Sequence, residues 1–493
     1  MLPPQYPPEH MWELLRRHAG GASRTKKRTT DAACMSYIRR RFLQGAASQG
    51  QKRRLPACVG LSLGAIALVF AVLLFLFGGA VLARYGKRKA ECAFAAAHPG
   101  SALRIGEVDY SVLANRLVAQ SVTLSGSDST LKVGRVSLTG VRWVRLLLGT
   151  AALADVLAKA RFDVTSLDVE FPKTHYEIRC ARMQASVPDS ELVATGIELR
   201  PLLGDEAFFA AHSFRTTCFY VVVPMCRVSG VGYGELFMGK SYRARSVRVF
   251  RPTFDALVNR DKPVKPSAQP PLMVHEALAA IRQPLQVDRF SLSNGHLTYR
   301  ERLVAGADPG VLTFGAVSVS VSGIANRGDA PAAILLRAQG DLMNAGTVRV
   351  LMSIPIMPRD FSLHYSGSLS PMDLTRLDAF LAIAEHTRIK SGNLKEASFE
   401  IEVTAGRAHG RVQAVYENLE FAFLNKQTGS ATGLDNRIAS FLANELKFRS
   451  SNPSDAAGSM KEGTVDYAKR PETEFLQFVW FALRSGALDL VSQ

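Results

Sequence analysis

The sequence predicts a mainly β chain hung on one amino-terminal membrane helix, and three observations carry that expectation. A 29-residue run, Leu55 to Ala83, contains no charge. Beyond residue 100 the recurrent pattern is strict alternation of apolar and polar residues, the period of a strand with one wet and one buried face. Helix-period patterns are few and lie at joints between the alternating runs.

The charge-free run comes first because it fixes the layout. About 20 apolar residues span a bilayer as a helix, so 55–84 is long enough to cross with some tilt. Before it, residues 1–54 hold twelve Lys or Arg against Glu9, Glu13 and Asp31, which gives this tenth of the chain +9 of the total +17. The arm is rich in Pro, Gly, Ser and Thr and reads as disordered. A nucleic-acid binder would place its basic stripe on a folded domain with interleaved aromatics, so the arm is read as a membrane-side feature and no nucleic-acid partner is expected. Lys52 to Arg54 guard one end of the span and Arg84, Lys87, Arg88 and Lys89 the other. The excess in the short arm favours the arm inside and the long remainder translocated. A cleaved signal peptide, with Val81 and Ala83 at the cleavage site, is the rival reading, against which the apolar run is too long for a usual signal core.

Cysteine adds little. Cys92, Cys180, Cys218 and Cys226 fall in the translocated part, and Cys218 and Cys226 flank CFYVVVPMC, where they either close a short loop or act as small buried apolar residues. The one Asn-x-Ser pattern after the span, at Asn452, is blocked by Pro453, which favours a bacterial envelope over a secretory pathway.

The strands are read from their alternation. VSVSVSG puts Val317, Val319 and Val321 on one face, ASFEIEV does the same with Phe399, Ile401 and Val403, and in YENLEFAF Leu419, Phe421 and Phe423 align. THYEIRC, with Tyr176, Ile178 and Cys180, and SYRARSVRVF are further examples. Asn294-Gly295, between two apolar runs, predicts a two-residue hairpin turn. Roughly a dozen to sixteen strands fit these templates. Three helices are expected: one opening at Ser370-Pro371-Met372-Asp373, with Leu374, Leu377 and Leu381 on one face; one over LDNRIASFLANEL; and a carboxyl-terminal one over EFLQFVWFALRSGALDLV, too short in its apolar run to span a membrane, that either caps a β end or lies in an interface. KPVKPSAQPP, with four prolines, separates a first β-rich region (100–260) from a second (273–425), leaving 261–272 as linker and 426–493 as a helical cap.

No enzyme is expected. HExxH and Cys/His ligand spacings are missing from the sequence; GxSxG occurs as Gly60 to Gly64 inside the charge-free run, and the phosphate-loop spelling GELFMGKS, Gly234 to Ser241, is followed by the alternating run SYRARSVRVF where a phosphate loop needs a helix. GVGYG at Gly230 to Gly234 lacks the spacing of a dinucleotide fingerprint, and Asp373 and Asp378 fall off a common helix face. Neither catalytic residue, metal nor cofactor is assigned.

Three stretches, VDRFSLSNGHLTYRER, HYSGSLSPMDLTRLDAFL and IKSGNLKEASFEIEVTAGRAHGRVQAVYENLEFAFL, together with the overall layout, give the chain a family likeness. It resembles the AsmA-like bacterial envelope proteins (AsmA/TamB, bridge-like lipid transfer), best over residues 285 to 425. The resemblance implies a long, twisted, trough-like antiparallel sheet with an apolar concave face that holds lipid acyl chains, a non-catalytic role in lipid movement and envelope integrity, and an inner-membrane anchor with the bulk of the chain in the periplasm. The partners it implies are phospholipid or another acyl-chain lipid, the inner membrane and envelope proteins. Val317, Val319, Val321, Phe399, Ile401, Val403, Leu419, Phe421 and Phe423 are the candidate groove residues. A tethered β scaffold that holds a partner protein is the alternative, because the same alternation would also build a closed sandwich core.

Overall fold

The computed structural model describes residues 100–424 and 448–492, apart from 112–113, 143–152, 264–269, 328–332, 357–359, 455–459 and 472, together with five residues between 87 and 95. The basic arm, the charge-free run and the predicted helix over 434–446 lie outside the described residues. Among those described, no helix is long and apolar enough to cross a membrane.

Nineteen strands form one sheet. In chain order they are β1 (Ala102–Arg104), β2 (Glu107–Ser111), β3 (Arg116–Ser125), β4 (Thr130–Thr139), β5 (Arg161–Phe171), β6 (Tyr176–Ser186), β7 (Glu191–Pro201), β8 (Thr217–Ser229), β9 (Tyr242–Phe250) and β10 (Thr253–Asn259). They continue as β11 (Leu285–Arg302), β12 (Gly310–Ala325), β13 (Ala333–Leu342), β14 (Gly346–Pro355), β15 (Leu363–Leu369), β16 (Met372–Asp373), β17 (Thr387–Thr404), β18 (Arg407–Phe423) and β19 (Gly463–Ala468). Apart from three breaks, each strand pairs with the next in sequence. β1 with β2, β9 with β10 and β15 with β16 are each one line of chain broken in two, so the ladder has sixteen positions. At ~4.8 Å per step this is a sheet roughly 70 Å long. β19 pairs with β18 and β1 and β2 with β3, and among the described residues neither end pairs with the other, so the described sheet is open.

The expectation of a wholly antiparallel sheet needs one correction. β11 runs parallel to both β9 and β10. A parallel neighbour needs a crossover connection, and the Pro-rich stretch supplies it: the chain leaves β10, passes through the short helix α1 (Val274–Ala279), and returns beside the strand it left. The sheet is continuous across this point, with Leu292 paired to Val249 and Leu297 to Phe254.

A second correction concerns Asn294-Gly295. It is not a hairpin turn. β11 runs straight through it for eighteen residues, with Asn294 at φ 52° and a register shift between Leu292 and Gly295. Asn tolerates the left-handed region in a bulge as readily as in a turn. The irregularity belongs to a seam across the sheet, where Ser121, Ser166, Gly196, Arg251, Asn294 and Ala316 all have positive φ. Between β3 and β4 and between β5 and β6 pairing skips one residue on each strand, from Gln120/Arg135 to Val122/Val133 and from Thr165/Arg182 to Leu167/Cys180, and between β11 and β12 it shifts twice, at Leu292/Gly295 and at Gly295/Leu297. One inserted residue reverses a strand's alternation, and because neighbouring strands insert together, the same face stays apolar on both sides of the seam. At Gly196 the fit is close: a Cβ there would meet the Ala181 Cβ at 2.8 Å.

Helices close the two ends. At the amino-terminal end α2 (Leu153–Leu157) lays Val156 and Leu157 on a core with Leu117, Val122, Leu138 and Val164, and α3 (Tyr233–Phe237) adds Phe237 at its border. At the other end α4 (Phe475–Val491) packs Phe478, Ala482 and Leu490 on Ile401, Val403, Val412 and Val465. Tyr365, fully buried, donates its hydroxyl to the Val479 carbonyl at 3.1 Å. The carboxyl-terminal helix thus caps the β end. A third, smaller core lies on the opposite face, where Phe208 and Phe209 of α5 (Asp205–Ala210) cover Cys218 and Leu257. The helix expected from Ser370 starts later, because Met372–Asp373 still pairs with β17. Asp373 accepts from the Thr375 backbone N–H, a 3-10 turn follows over Leu374–Leu377, and α6 runs over Asp378–Ala384.

The cap on the last strands depends on one small residue. A Cβ on Gly486 would stand 2.6 Å from Val465 Cγ2 and 2.7 Å from Val412 Cγ2. Gly486→Val is therefore expected to destabilise by about 1–3 kcal/mol, seen as a lower denaturant midpoint, whereas Ala487→Val on the same helix should change the midpoint much less.

Candidate functional site

The sheet's register assembles a continuous apolar face from residues far apart in sequence. Paired residues share a face, so a row can be followed from strand to strand. One row begins Val108, Ala119, Val136, Val164, Met183, Ala194. It continues through Cys226, Val249, Leu292, Val319, Ala338 and Val350, then ends on Gly367, Phe399, Val412 and Gly463. Sixteen consecutive positions carry no polar side chain other than a thiol. A second row, two residues along each strand, includes Leu192, Val228, Val247, Phe290, Val321 and Leu336. Beyond the seam a third holds Leu199, Val221, Phe254, Leu297, Phe314 and Leu342.

The other face is polar. The row adjoining the first runs Asp163, Gln184, Val193, Arg227, Arg248, Ser291, Ser320, Arg337, Leu351, Ser366, Glu400 and Arg411. Ion pairs cross between strands here. Arg182 holds Asp163 through two hydrogen bonds of 2.8 and 2.6 Å, which keeps the Asp163 carboxyl below its ordinary range. Arg411 meets Glu400 at 3.1 Å.

Burial along the apolar rows is uneven, and this locates the candidate site. At the ends the side chains are sealed: Val164 and Leu138 in the first core, Ile401 and Val403 in the second. In the middle, Cys226, Val249, Leu292, Val319, Ala338 and Val350 are only half-buried and belong to none of the three cores. The same holds for Leu192, Val228, Val247 and Phe290. Burying a Val, Leu or Phe side chain fully contributes ~1.5–3 kcal/mol, and these residues realise only part of that within the chain. From β7 to β14 the uncovered stretch is roughly 30 Å long at ~4.8 Å per position.

Against this frame the nine expected residues divide. Val317 and Val319 stand half-buried in the middle of the apolar face, and Val321 half-buried at the border of the second core. Phe399 and Phe421 are half-buried at the border of the second core, with Phe399 against Tyr365 at 5.9 Å between ring centres. Ile401 and Val403 face the same way but are fully buried, and Leu419 is buried in the same core. Phe423 pairs with Thr387, and its side chain lies outside the described residues. Sequence alternation missed Val249, Leu292, Ala338 and Val350, whose pattern is legible but whose alignment with Val319 depends on long-range register.

The four cysteines among the described residues are free. Cys218 and Cys226 share the extended strand β8, so their spacing of eight residues holds them about 25 Å apart, and no loop brings them together. Burial pushes the Cys218 thiol up to about 12 and raises that of Cys226 as well. Among the described residues no group of His, Cys, Asp or Glu has the arrangement of a metal site.

Thiol reactivity checks this placement. Of the four described cysteines, with an apolar maleimide at pH 8, Cys92 (exposed) should react first and Cys226, on the uncovered face, second. Cys218, without thiolate until pH approaches about 12, should stay unmodified until the chain unfolds.

No protein-family model matches the chain, and no curated protein matches it.

Proposed function

We propose that the chain is a lipid-binding or lipid-transfer protein of the bacterial envelope, non-catalytic, which holds acyl chains along the uncovered apolar face. On this reading 55–84 anchors it in the inner membrane, the basic arm stays cytoplasmic and the sheet lies in the periplasm. One observation carries the proposal: apolar rows run unbroken through every ladder position, are sealed by helices at the two ends, and stand half-exposed between them.

The physical argument concerns what such a face requires. Exposed apolar surface costs about 25 cal/mol per Å², and contiguous patches of this extent mark binding surfaces. A lipid chain fits because the one polar side chain in the middle rows named above is the weakly hydrogen-bonding Cys226 thiol. Dispersion contacts are individually weak, so a chain gains affinity from length without being fixed at one register. That is the condition for movement along the sheet. The resemblance to the AsmA-like proteins supports the same reading.

A second reading, a tethered scaffold for an envelope protein, draws on the polar face. Leu335 and Leu351, on the neighbouring strands β13 and β14, are 51% and 52% exposed there. A partner could dock on that pair while the apolar face serves only as core.

Two outcomes separate the readings. The full-length chain, purified in mild detergent, is expected to carry phospholipid measurable by mass spectrometry. Replacing Val317, Val319 and Val321 together by Gln should leave circular dichroism unchanged and reduce bound lipid at least several-fold. Loss of fold in that variant with no lipid in the wild type would instead favour the scaffold.

A further inference from the structure

At one rim of the sheet, where β10 and β11 end, the apolar rows give way to buried charge. Tyr299 and Glu301 continue the alternation of Leu297, so they lie on the apolar face, and Glu301 is 1% exposed. Its carboxylate accepts from the Tyr299 hydroxyl at 2.8 Å and lies 2.6 Å from Arg260 Nε, out of line for a hydrogen bond and therefore an ion pair. Arg215 joins from the loop before β8, donating from Nη2 to the Arg260 carbonyl at 3.1 Å. Lys262 donates to the carbonyls of Phe209, at 2.6 Å, and His212. Three cationic side chains thus meet at this rim, and Glu301 is the carboxylate that one of them touches. Asp261 beside them is exposed.

Charge of this kind is costly to bury unless its hydrogen-bonding groups are met. Arg260 has its carboxylate, and Lys262 has two carbonyls. Arg215 is half-buried, touches no carboxylate, and its Nε is buried with no acceptor among the described residues. An excess guanidinium at the border of an apolar face and water matches one ligand chemistry: an anion covalently attached to something apolar. A phosphate ester fits best, since its oxygens accept from the guanidinium fork in pairs.

We infer that this rim is a headgroup site, at which Arg215, backed by Arg260, binds the phosphate of an anionic lipid whose chains lie on Phe254, Leu297 and Phe314. The inference rests on the lipid-binding reading above and adds a preference for lipid of net negative charge. Tyr299 marks the boundary, with its ring against Phe380 and its hydroxyl on Glu301. A zwitterionic headgroup presents the same phosphate together with a cation, which the Arg and Lys side chains repel.

The test is competitive loading. The full-length chain is incubated with vesicles of equal parts phosphatidylglycerol and phosphatidylcholine of identical chains, re-isolated, and its bound lipid quantified by mass spectrometry. The wild type should retain the anionic lipid in about tenfold excess, the ratio one charge-assisted hydrogen bond supports. Arg215→Gln should bring the ratio near one with total lipid per chain unchanged, and Arg215→Lys should keep most of the excess. Equal retention by the wild type, or an excess that survives in Arg215→Gln, overturns the headgroup site and leaves the lipid reading standing. Retention of neither lipid overturns both. Calorimetric binding of inorganic phosphate that is lost in Arg215→Gln, with no effect of that variant on the lipid ratio, assigns the site to a free anion and also overturns the inference.

Discussion

A strand with one apolar face can keep extending a sheet only while every neighbour keeps that face on the same side. This chain meets the condition at all sixteen ladder positions, and the rest of the structure follows from it. A slip of one residue on any single strand would turn its Val, Leu and Phe side chains to the polar face and their charged neighbours inward. The seam of bulges shows the constraint at work. Ser121, Ser166, Gly196, Asn294 and Ala316 occupy the strained positive-φ region, at a cost of order 1–3 kcal/mol each for the non-glycine residues. The insertions are tolerated because adjacent strands make them together, which bends the sheet without breaking a row.

The ends of the sheet need a different solution, since an edge leaves backbone groups unpaired and an apolar face uncovered. α4 supplies it at β17 to β19 through close approach, Gly486 against Val412 and Val465, and through the Tyr365 hydroxyl on Val479. Short helices and Phe94 supply it at β3 to β5. Between these caps the sheet has strands without a covering core. The sealed ends give the molecule its stability, and the half-buried middle gives it a surface on which something apolar gains by settling.

Much of this was legible in the sequence. VSVSVSG and ASFEIEV fix which residues share a face, and the paired rows place Val319 and Phe399 in one line, as that alternation implies. Alternation could not show where a strand stops. Asn294-Gly295 has the chemistry of a turn, yet β11 runs on, because the parallel pairing with β9 and β10 holds both halves in one line. Nor could it show the crossover, since a parallel return differs from a hairpin only in where the chain re-enters the sheet. The rim charges were equally hidden. Glu301 and Arg260 lie 41 residues apart and Arg215 a further 45, and none belongs to a motif. What brings them together is the register of β10 on β11.

The central claim, that lipid lies along the inward rows, predicts a two-residue periodicity that photo-crosslinking reads directly. A photoreactive amino acid is placed in turn at Arg248 and Val249, Val319 and Ser320, and Val350 and Leu351, and phospholipid adducts are quantified by mass spectrometry after illumination in membranes. The account predicts adducts at Val249, Val319 and Val350, and few at their neighbours on the polar face. Equal yield at both members of each pair, or adducts at neither, would contradict it.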